Sequence, residues 1–238
     1  MFKQMFDAES STLTYLIMDD VTREAVLIDP VANHADEYIA LIKELNCLLK
    51  YSIETHVHAD HITASGMLKE KLNIQTAVSE QCGAATADIQ LKEGDVLIVG
   101  HQNIKVIATP GHTAGSLSFL WHDNLFTGDA LLINGCGRTD FQGGDAGVLF
   151  DSINNKIFTL PDETLIYPAH DYNGKRVSCV GQEKATNPRL AGKTRDEFIA
   201  MMGSLNLPKP KLIDIAVPAN RMCGVVEENE QAPEVVQG

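Results

Sequence analysis

The sequence lacks closely spaced cysteines, long apolar runs and an excess of positive charge. Its five cysteines lie far apart and form no CxxC pair, which argues against a disulfide framework or a cysteine-ligated zinc site. No run approaches the roughly 18 apolar residues of a membrane-spanning helix. The start, MFKQMFDAESST, has no apolar stretch of the kind found in signal peptides. We therefore expect a cytoplasmic protein with no membrane partner.

Positive charge is scarce, with 19 Lys and Arg against 32 Asp and Glu and a formal net charge of -13. Nucleic-acid binding depends on Lys and Arg that neutralise phosphates, so no nucleic-acid partner is expected. A local basic pocket can still receive a small anionic substrate. At 238 residues and 44% hydrophobic, the chain fits a single domain of ordinary globular composition.

Short apolar runs separated by turns dominate the first two-thirds of the chain. Helices are predicted at 34–46, 62–72, 145–158 and 195–205. The rest of the segment after His170 is predicted to be polar and loop-like. The acidic tail from Glu227 should fray. This irregular alternation indicates an α+β or layered α/β sandwich. Strands are predicted at Leu13–Met18, Ala25–Ile28, Tyr51–Val57, Thr76–Val78, Asp95–Val99, Ile104–Ala108, Ser116–Trp121, Asn124–Thr127 and Thr164–Tyr167.

Three histidines and an aspartate crowd together directly after one predicted strand. His56 and His58 alternate with Val57, and a strand end would direct both side chains to one face. Asp60 and His61 follow where the chain turns into the next helix. Imidazole and carboxylate together suit zinc, iron or manganese. The alternative, three solvated loop histidines, is disfavoured by this crowding.

Further candidate ligands follow later strands, each after a short turn. They are His112 in Thr-Pro-Gly-His-Thr, Asp129 in Phe-Thr-Gly-Asp and His170 in Tyr-Pro-Ala-His. Taken alone, each has a structural reading as a core histidine or a turn residue. Together with the histidine cluster at 56–61 they make four such elements in order. This order instead favours a metal site presented by loops at a rigid sheet edge. The remaining histidines show no partner pattern and are assigned to the surface: His34, His101 and His122.

The order HxHxDH, Gly-His-Thr, Gly-Asp and a late His resembles the metallo-β-lactamase superfamily over about residues 10–175. The resemblance implies an αβ/βα sandwich with the metal site at one edge of its two sheets, and residues 176–238 as a short C-terminal extension of the same domain. In dinuclear members of the superfamily, two metals use all seven matching positions: His56, His58, His112, Asp60, His61, His170 and a bridging Asp129.

Other segments resemble persulfide dioxygenases, also called sulfur dioxygenases, the family of the ethylmalonic encephalopathy protein. This resemblance implies one Fe(II) per chain, held by His56, His112 and Asp129, with about three positions open for substrate and O₂. It also implies that glutathione persulfide is oxidised to sulfite and glutathione. The remaining cluster residues, His58, Asp60, His61 and His170, would then orient the ligands. The matching segments are Gly135–Gln142, Tyr167–Tyr172, Asn187–Leu190, Leu205–Pro210 and Ala216–Asn220.

The carboxylates of glutathione need cationic or polar anchors, for which Arg138, Thr139 and Tyr172 are the candidates. Arg138 equally fits a structural arginine that bonds loop carbonyls. Tyr172 equally fits an amphipathic residue at the edge of the core. Cys136 is either a redox-sensitive thiol near the site or a small residue in a tight Gly-Cys-Gly turn.

A dinuclear zinc thioester hydrolase of the glyoxalase II kind shares the HxHxDH frame and a Cys-Gly-Arg. Glyoxalase II has a longer helical C-terminal domain than residues 171–238 provide, which favours the dioxygenase. A binding module without turnover is opposed by the intact His56, His112 and Asp129. A homodimer and a separate rhodanese partner remain open.

Overall fold

The structure is a computed structural model that describes residues 1–225, which build two six-stranded sheets. Helices cover the outer face of each sheet. The first sheet contains β1 (Phe2–Phe6), β2 (Leu13–Met18), β3 (Glu24–Ile28), β4 (Leu48–Ile53), β5 (Gln75–Ser79) and β6 (Ile89–Leu91). The second contains β7 (Val96–Val99), β8 (Gln102–Ala108), β9 (Leu117–Trp121), β10 (Asn124–Gly128), β11 (Leu165–Pro168) and β12 (Ser178–Cys179).

The helices lie mostly in the connections between strands and in the C-terminal segment. A π-helical stretch at Ile153–Ile157 continues the third of them. No helix in the described part of the chain has the length and apolarity to cross a membrane. The helices are α1 (Ala35–Glu44), α2 (Ser65–Leu72), α3 (Ala146–Ser152), α4 (Val180–Thr186), α5 (Arg195–Gly203) and α6 (Ile213–Arg221).

The three largest buried apolar clusters form layers between and outside the two sheets. Between the sheets lie Tyr15, Phe119 and Phe126, all essentially fully buried. β2 is buried at every position because α1 and α2 cover its other face, which explains its continuous apolar sequence LTYLIM. α3, α4 and α5 pack on the second sheet in the same way. The predicted αβ/βα sandwich is confirmed.

Parallel pairing brings the ends of several strands to one edge. In the first sheet β3, β4, β5 and β6 are parallel, and Ile28 pairs with Ile53. In the second sheet β10 and β11 are parallel, and Gly128 pairs with Pro168. A bridge between Thr12 and His170 joins the two sheets there. Residues that directly follow these strands therefore meet at one edge.

Several predicted elements differ from the structure. The strand predicted at Tyr51–Val57 ends at Ile53, so His56 and His58 lie on a loop and strand alternation does not orient them. The prediction of a mostly loop-like segment after His170 was wrong, because α4, α6 and β12 form there. α6 contains Pro218, which obscures a helical pattern in the sequence. The edge strands β1 and β6 were also missed.

Two further sequence predictions concern the ends of the chain. The acidic tail from Glu227, expected to fray, lies outside the described residues. The single domain over residues 1–238 stays a prediction, which is supported by the packing of Val180, Phe198 and Met202 against the second sheet.

Candidate metal centre

One group of donor atoms comes from His56, His112 and Asp129. Each side chain offers a ligand atom, and these atoms lie within 4.8 Å of one another. The two imidazole rings are nearly perpendicular, with centroids 4.9 Å apart, and His112 Nε2 is 3.7 Å from Asp129 Oδ2. We call these three residues the first cluster. Two imidazoles and a carboxylate at this spacing fit one transition-metal ion.

In each histidine of the first cluster, a hydrogen bond engages Nδ1, which we call the far nitrogen. His56 Nδ1 lies 3.0 Å from Thr55 Oγ1, which in turn donates to Asp29 Oδ2 at 2.8 Å. His112 Nδ1 donates to the carbonyl oxygen of Arg138 at 2.7 Å. Because Nδ1 of each ring is engaged in this way, Nε2 is the nitrogen left for a metal.

Two glycines let the backbone approach the first cluster. Gly111, just before His112, has φ +129°, and a Cβ there would lie 2.3 Å from the backbone of Leu149. A Cβ on Gly137 would lie 2.4 Å from the carbonyl oxygen of Asp129 and 2.7 Å from His112 Nδ1. Larger residues at these two positions would displace the candidate ligands.

A second group contains His58, Asp60, His61 and His170, whose ligand atoms also lie within 4.8 Å of one another. We call it the second cluster. His170 donates Nδ1 to Asp129 Oδ1 at 2.7 Å and lies with Nε2 3.0 Å from Asp60 Oδ2. His61 Nδ1 lies 3.0 Å from the same Asp60 oxygen. Both nitrogens of His170 are thus occupied by carboxylates.

His58 faces two buried carboxylates that the sequence interpretation missed. Its Nε2 lies 3.2 Å from Asp29 Oδ1 and 3.6 Å from Glu54 Oε2, although neither contact has hydrogen-bond geometry. Glu54 is anchored through Oε1 by Thr63 and by Ser65, whose Oγ donates at 2.5 Å. Asp29 and Glu54 directly follow the parallel strands β3 and β4, and this placement was the available signal.

The charges of the two clusters support each other. Burial and the neighbouring His58 and His112 hold the pKa of His56 well below its ordinary value, which keeps the neutral, metal-binding form. Burial alone would raise the pKa of Asp129, but the ion pair with His170 outweighs it and lowers that pKa. Burial would likewise lower the pKa of His170, which Asp129 and Asp60 instead raise well above its usual range. Asp129 is therefore a carboxylate and His170 its cationic partner.

Buried donor atoms without partners give an independent test of whether a metal fits. Within residues 1–225, both ring nitrogens of His58, Nε2 of His61 and Oε2 of Glu54 are buried and lack a hydrogen bond. Such groups are rare in folded proteins unless water or an ion satisfies them. The donor types and their burial therefore fit a metal ion at this edge.

A cavity of about 970 Å³ opens onto both clusters. This volume falls in the range of small-molecule sites. The residues that line it include Asn33, Tyr172, Arg189 and Lys211. An anionic substrate can thus meet two cations there, despite the acidity of the whole chain.

Known proteins share this fold and length. A model of the metallo-beta-lactamase superfamily matches residues 83–170. The human mitochondrial persulfide dioxygenase ETHE1 is 51% identical over 94% of this chain and 89% of its own length. The crystal structure of ETHE1 from Myxococcus xanthus has 55% identity and a TM-score of 0.93, covering 94% of this chain and all of that one. The chain belongs to the persulfide dioxygenase family.

A hydrolase shows a weaker similarity. The hydroxyacylglutathione hydrolase GloC of Haemophilus influenzae is 34% identical over 75% of this chain and 92% of its own length. The family predicted from the motifs is confirmed, and the greater identity and coverage lie with the persulfide dioxygenases.

The three residues predicted to bind substrate lie in three different environments. Arg138 makes a bidentate ion pair with Asp140 at 2.7 Å and donates to the carbonyl oxygen of Pro208 at 2.7 Å, as its structural alternative requires. Thr139 lines a small hollow beside the main cavity. Tyr172 lies exposed at the cavity wall, its ring parallel to that of His170 at 5.8 Å.

Cys136 and His34 also have defined surroundings. Cys136 is buried with Sγ 3.9 Å from Met202 Sδ, and burial raises the pKa of its thiol to about 11. These contacts favour the small turn residue over the reactive thiol. His34, predicted to lie on the surface without a partner, is half-buried between Asp7 and Glu37, at 2.9 and 3.0 Å. His101 and His122 are exposed as predicted.

Proposed function

We propose that this persulfide dioxygenase is a mononuclear Fe(II) enzyme that converts glutathione persulfide, O₂ and water into glutathione and sulfite. The proposal depends on one observation, the convergence of His56, His112 and Asp129 below a large cavity. The family and this donor set indicate a metal. Iron as the ion, and its stoichiometry of one per chain, belong to the proposal.

Bound iron would supply coordination positions for a persulfide sulfur and O₂ together, and the electrons that activate O₂. The chain supplies orientation. The carbonyl of Arg138 fixes the plane of the His112 ring, and Thr55 does the same for His56. His170 holds Asp129 through Oδ1 and leaves Oδ2 3.7 Å from His112 Nε2.

The second cluster supports one metal rather than two. His170 bridges Asp129 and Asp60, so a second ion held by both Asp60 and His170 would have to break the bond between them. His58 is turned toward Asp29 and Glu54, and its donor atoms do not group with those of the first cluster. We propose that His58, Asp60, His61 and His170 orient the iron ligands.

Substrate contacts complete the proposal. Tyr172 lies at the cavity wall, where its ring can contact the peptide part of glutathione persulfide. Arg138 also reaches the wall, yet its guanidinium already bonds Asp140 and Pro208. We therefore propose that Tyr172 contacts substrate directly, and that Arg138 and Thr139 contribute through the shape of the loop.

Metal content and product analysis together test the function. We expect one iron per chain in protein purified anaerobically, and sulfite formed in a 1:1 ratio to the O₂ consumed with fresh glutathione persulfide. Two zinc ions per chain with rapid hydrolysis of S-lactoylglutathione and no sulfite would instead identify the dinuclear hydrolase of the glyoxalase II kind.

Location and assembly stay predictions. The human relative carries the word mitochondrial in its name, whereas the sequence predicts a cytoplasmic protein here. A homodimer and a separate rhodanese partner are parts of the proposal, which light scattering and a coupled assay would test.

A further inference from the structure

The backbone of residues 134–138, here the 134–138 loop, contacts both proposed iron ligands that follow the second sheet. The carbonyl oxygen of Arg138 accepts from His112 Nδ1 at 2.7 Å. The amide of Gly137 donates to the carbonyl oxygen of Asp129 at 2.7 Å. A shift of this loop would therefore turn the His112 ring and move the start of the Asp129 loop.

The same loop is held from its other side by α4, in the C-terminal segment. Glu183 is fully buried, and its Oε2 accepts from the amide of Asn134 at 2.9 Å. The same oxygen accepts from Asn187 Nδ2 at 2.8 Å, and Oε1 accepts from Ser178 Oγ at 2.5 Å. Each carboxylate oxygen of Glu183 is thus satisfied, as a buried charge requires.

Two neighbouring residues extend this contact along the loop. Asn187, also fully buried, donates Nδ2 to the carbonyl oxygen of Gly135 at 3.0 Å. Arg189 donates to the carbonyl oxygen of Cys136 at 2.6 Å. Residues 134, 135 and 136 are therefore each bonded to the segment 183–189, while 137 and 138 are bonded to the ligands.

One residue of the loop lies in the left-handed region, and Glu183 holds its amide. Asn134 has φ +57°, a left-handed conformation that side chains other than glycine adopt at some cost. An apolar side chain at position 183 would stabilise α4 against the sheet but could not hold the Asn134 amide. A buried carboxylate at this position is therefore explained by the loop rather than by the core.

We propose that Glu183 and Asn187 are positioning residues for the metal site, acting on His112 through the 134–138 loop. The inference rests on the proposed function in one respect, namely that His112 binds the iron. It assigns to the C-terminal extension a direct part in setting ligand geometry. Glu183 and Asn187 make this contact without belonging to either cluster.

The test compares Glu183→Ala, Glu183→Gln and the control Phe198→Leu. Gln keeps a carbonyl oxygen that accepts from Asn134 and Asn187, and its amide can donate to Ser178. Phe198 is a fully buried residue of α5 in the same apolar cluster as Val180 of α4, so Phe198→Leu lowers stability while the hydrogen bonds from Glu183, Asn187 and Arg189 to the loop stay in place. Fe(II) affinity is measured anaerobically by chelator competition, and stability by thermal unfolding of the metal-free protein.

We expect Glu183→Ala to weaken Fe(II) binding about 10-fold, at the lower end of the range for groups that orient ligands. Glu183→Gln should stay within about threefold of wild type, and Phe198→Leu should lower the Tm with unchanged Fe(II) affinity. Co(II)-loaded Glu183→Ala should also show an altered visible absorption spectrum, which reports coordination geometry. If Glu183→Ala does not fold, Asn187→Ala provides the same comparison through loss of the Gly135 contact.

The proposal is overturned if Glu183→Ala and Asn187→Ala bind Fe(II) like wild type, or if Phe198→Leu weakens binding as much at an equal loss of Tm. These outcomes are separate from failure of the proposed function. A wild-type protein that binds Fe(II) but makes no sulfite would refute the reaction and leave the positioning test intact.

Discussion

The two clusters at the sheet edge are built from the same residue types but differ in what their donor atoms face. In the first cluster, the far nitrogens of His56 and His112 bond a hydroxyl and a carbonyl of the chain, which leaves Nε2 toward the cavity. In the second cluster, both nitrogens of His170 bond carboxylates. Hydrogen bonding, rather than residue type, therefore separates His56 and His112, each with Nε2 left for a metal, from His170, which has neither nitrogen left.

The strongest test of this difference is to remove one histidine from each cluster. His112→Ala should abolish both iron retention and sulfite formation, because one of three protein ligands is lost. His61→Ala should retain one iron per chain and lose activity by about 10-fold, as expected for a group that orients ligands. Iron per chain by elemental analysis and sulfite by chromatography give the comparison. Equal loss of iron in both variants would remove the distinction between the clusters.

A finer test concerns the bond between the clusters. His170→Gln replaces a cation held by two carboxylates with a neutral amide, so Asp129 loses its charged partner. We expect kcat/KM to fall by about 10- to 100-fold while one iron per chain remains. Oxygen uptake with glutathione persulfide measures the rate. A variant without iron would instead indicate that His170 is itself a metal ligand.

Where candidate site residues follow a strand and a turn, the structure brings them to one edge as the sequence indicated. His112, Asp129 and His170 come just after β8, β10 and β11, so local patterns were sufficient to place them at one edge. The contacts that hold those residues in place join distant parts of the chain. Glu183 and Asn134 are far apart in sequence, and Glu183 in the short helix VGQEKAT looks like a solvent-facing residue. Such contacts leave no periodic signal in the sequence.

The smallest effect is expected at Cys136, which lies on the 134–138 loop but whose thiol bonds no residue of either cluster. Its Sγ packs against Met202, and burial raises the pKa of the thiol to about 11. At pH 8 only about one molecule in a thousand would carry the reactive thiolate. Iodoacetamide should therefore modify Cys136 slowly in the native protein, at a rate that rises about tenfold per pH unit below pH 11.

The Cys136→Ser variant tests whether this thiol contributes to activity. Cys136→Ser keeps a small side chain in the turn, so kcat/KM for sulfite formation should stay within about twofold of wild type, since the thiol bonds no ligand. Mass spectrometry of the alkylated protein, with half-buried Cys47 as internal reference, measures the reactivity. Fast modification of Cys136 at pH 8, together with a large loss of activity in the serine variant, would mean that proximity to the first cluster matters more than orientation. The distinction between groups directed at the candidate metal site and groups that hold them in place would then apply to the histidines alone.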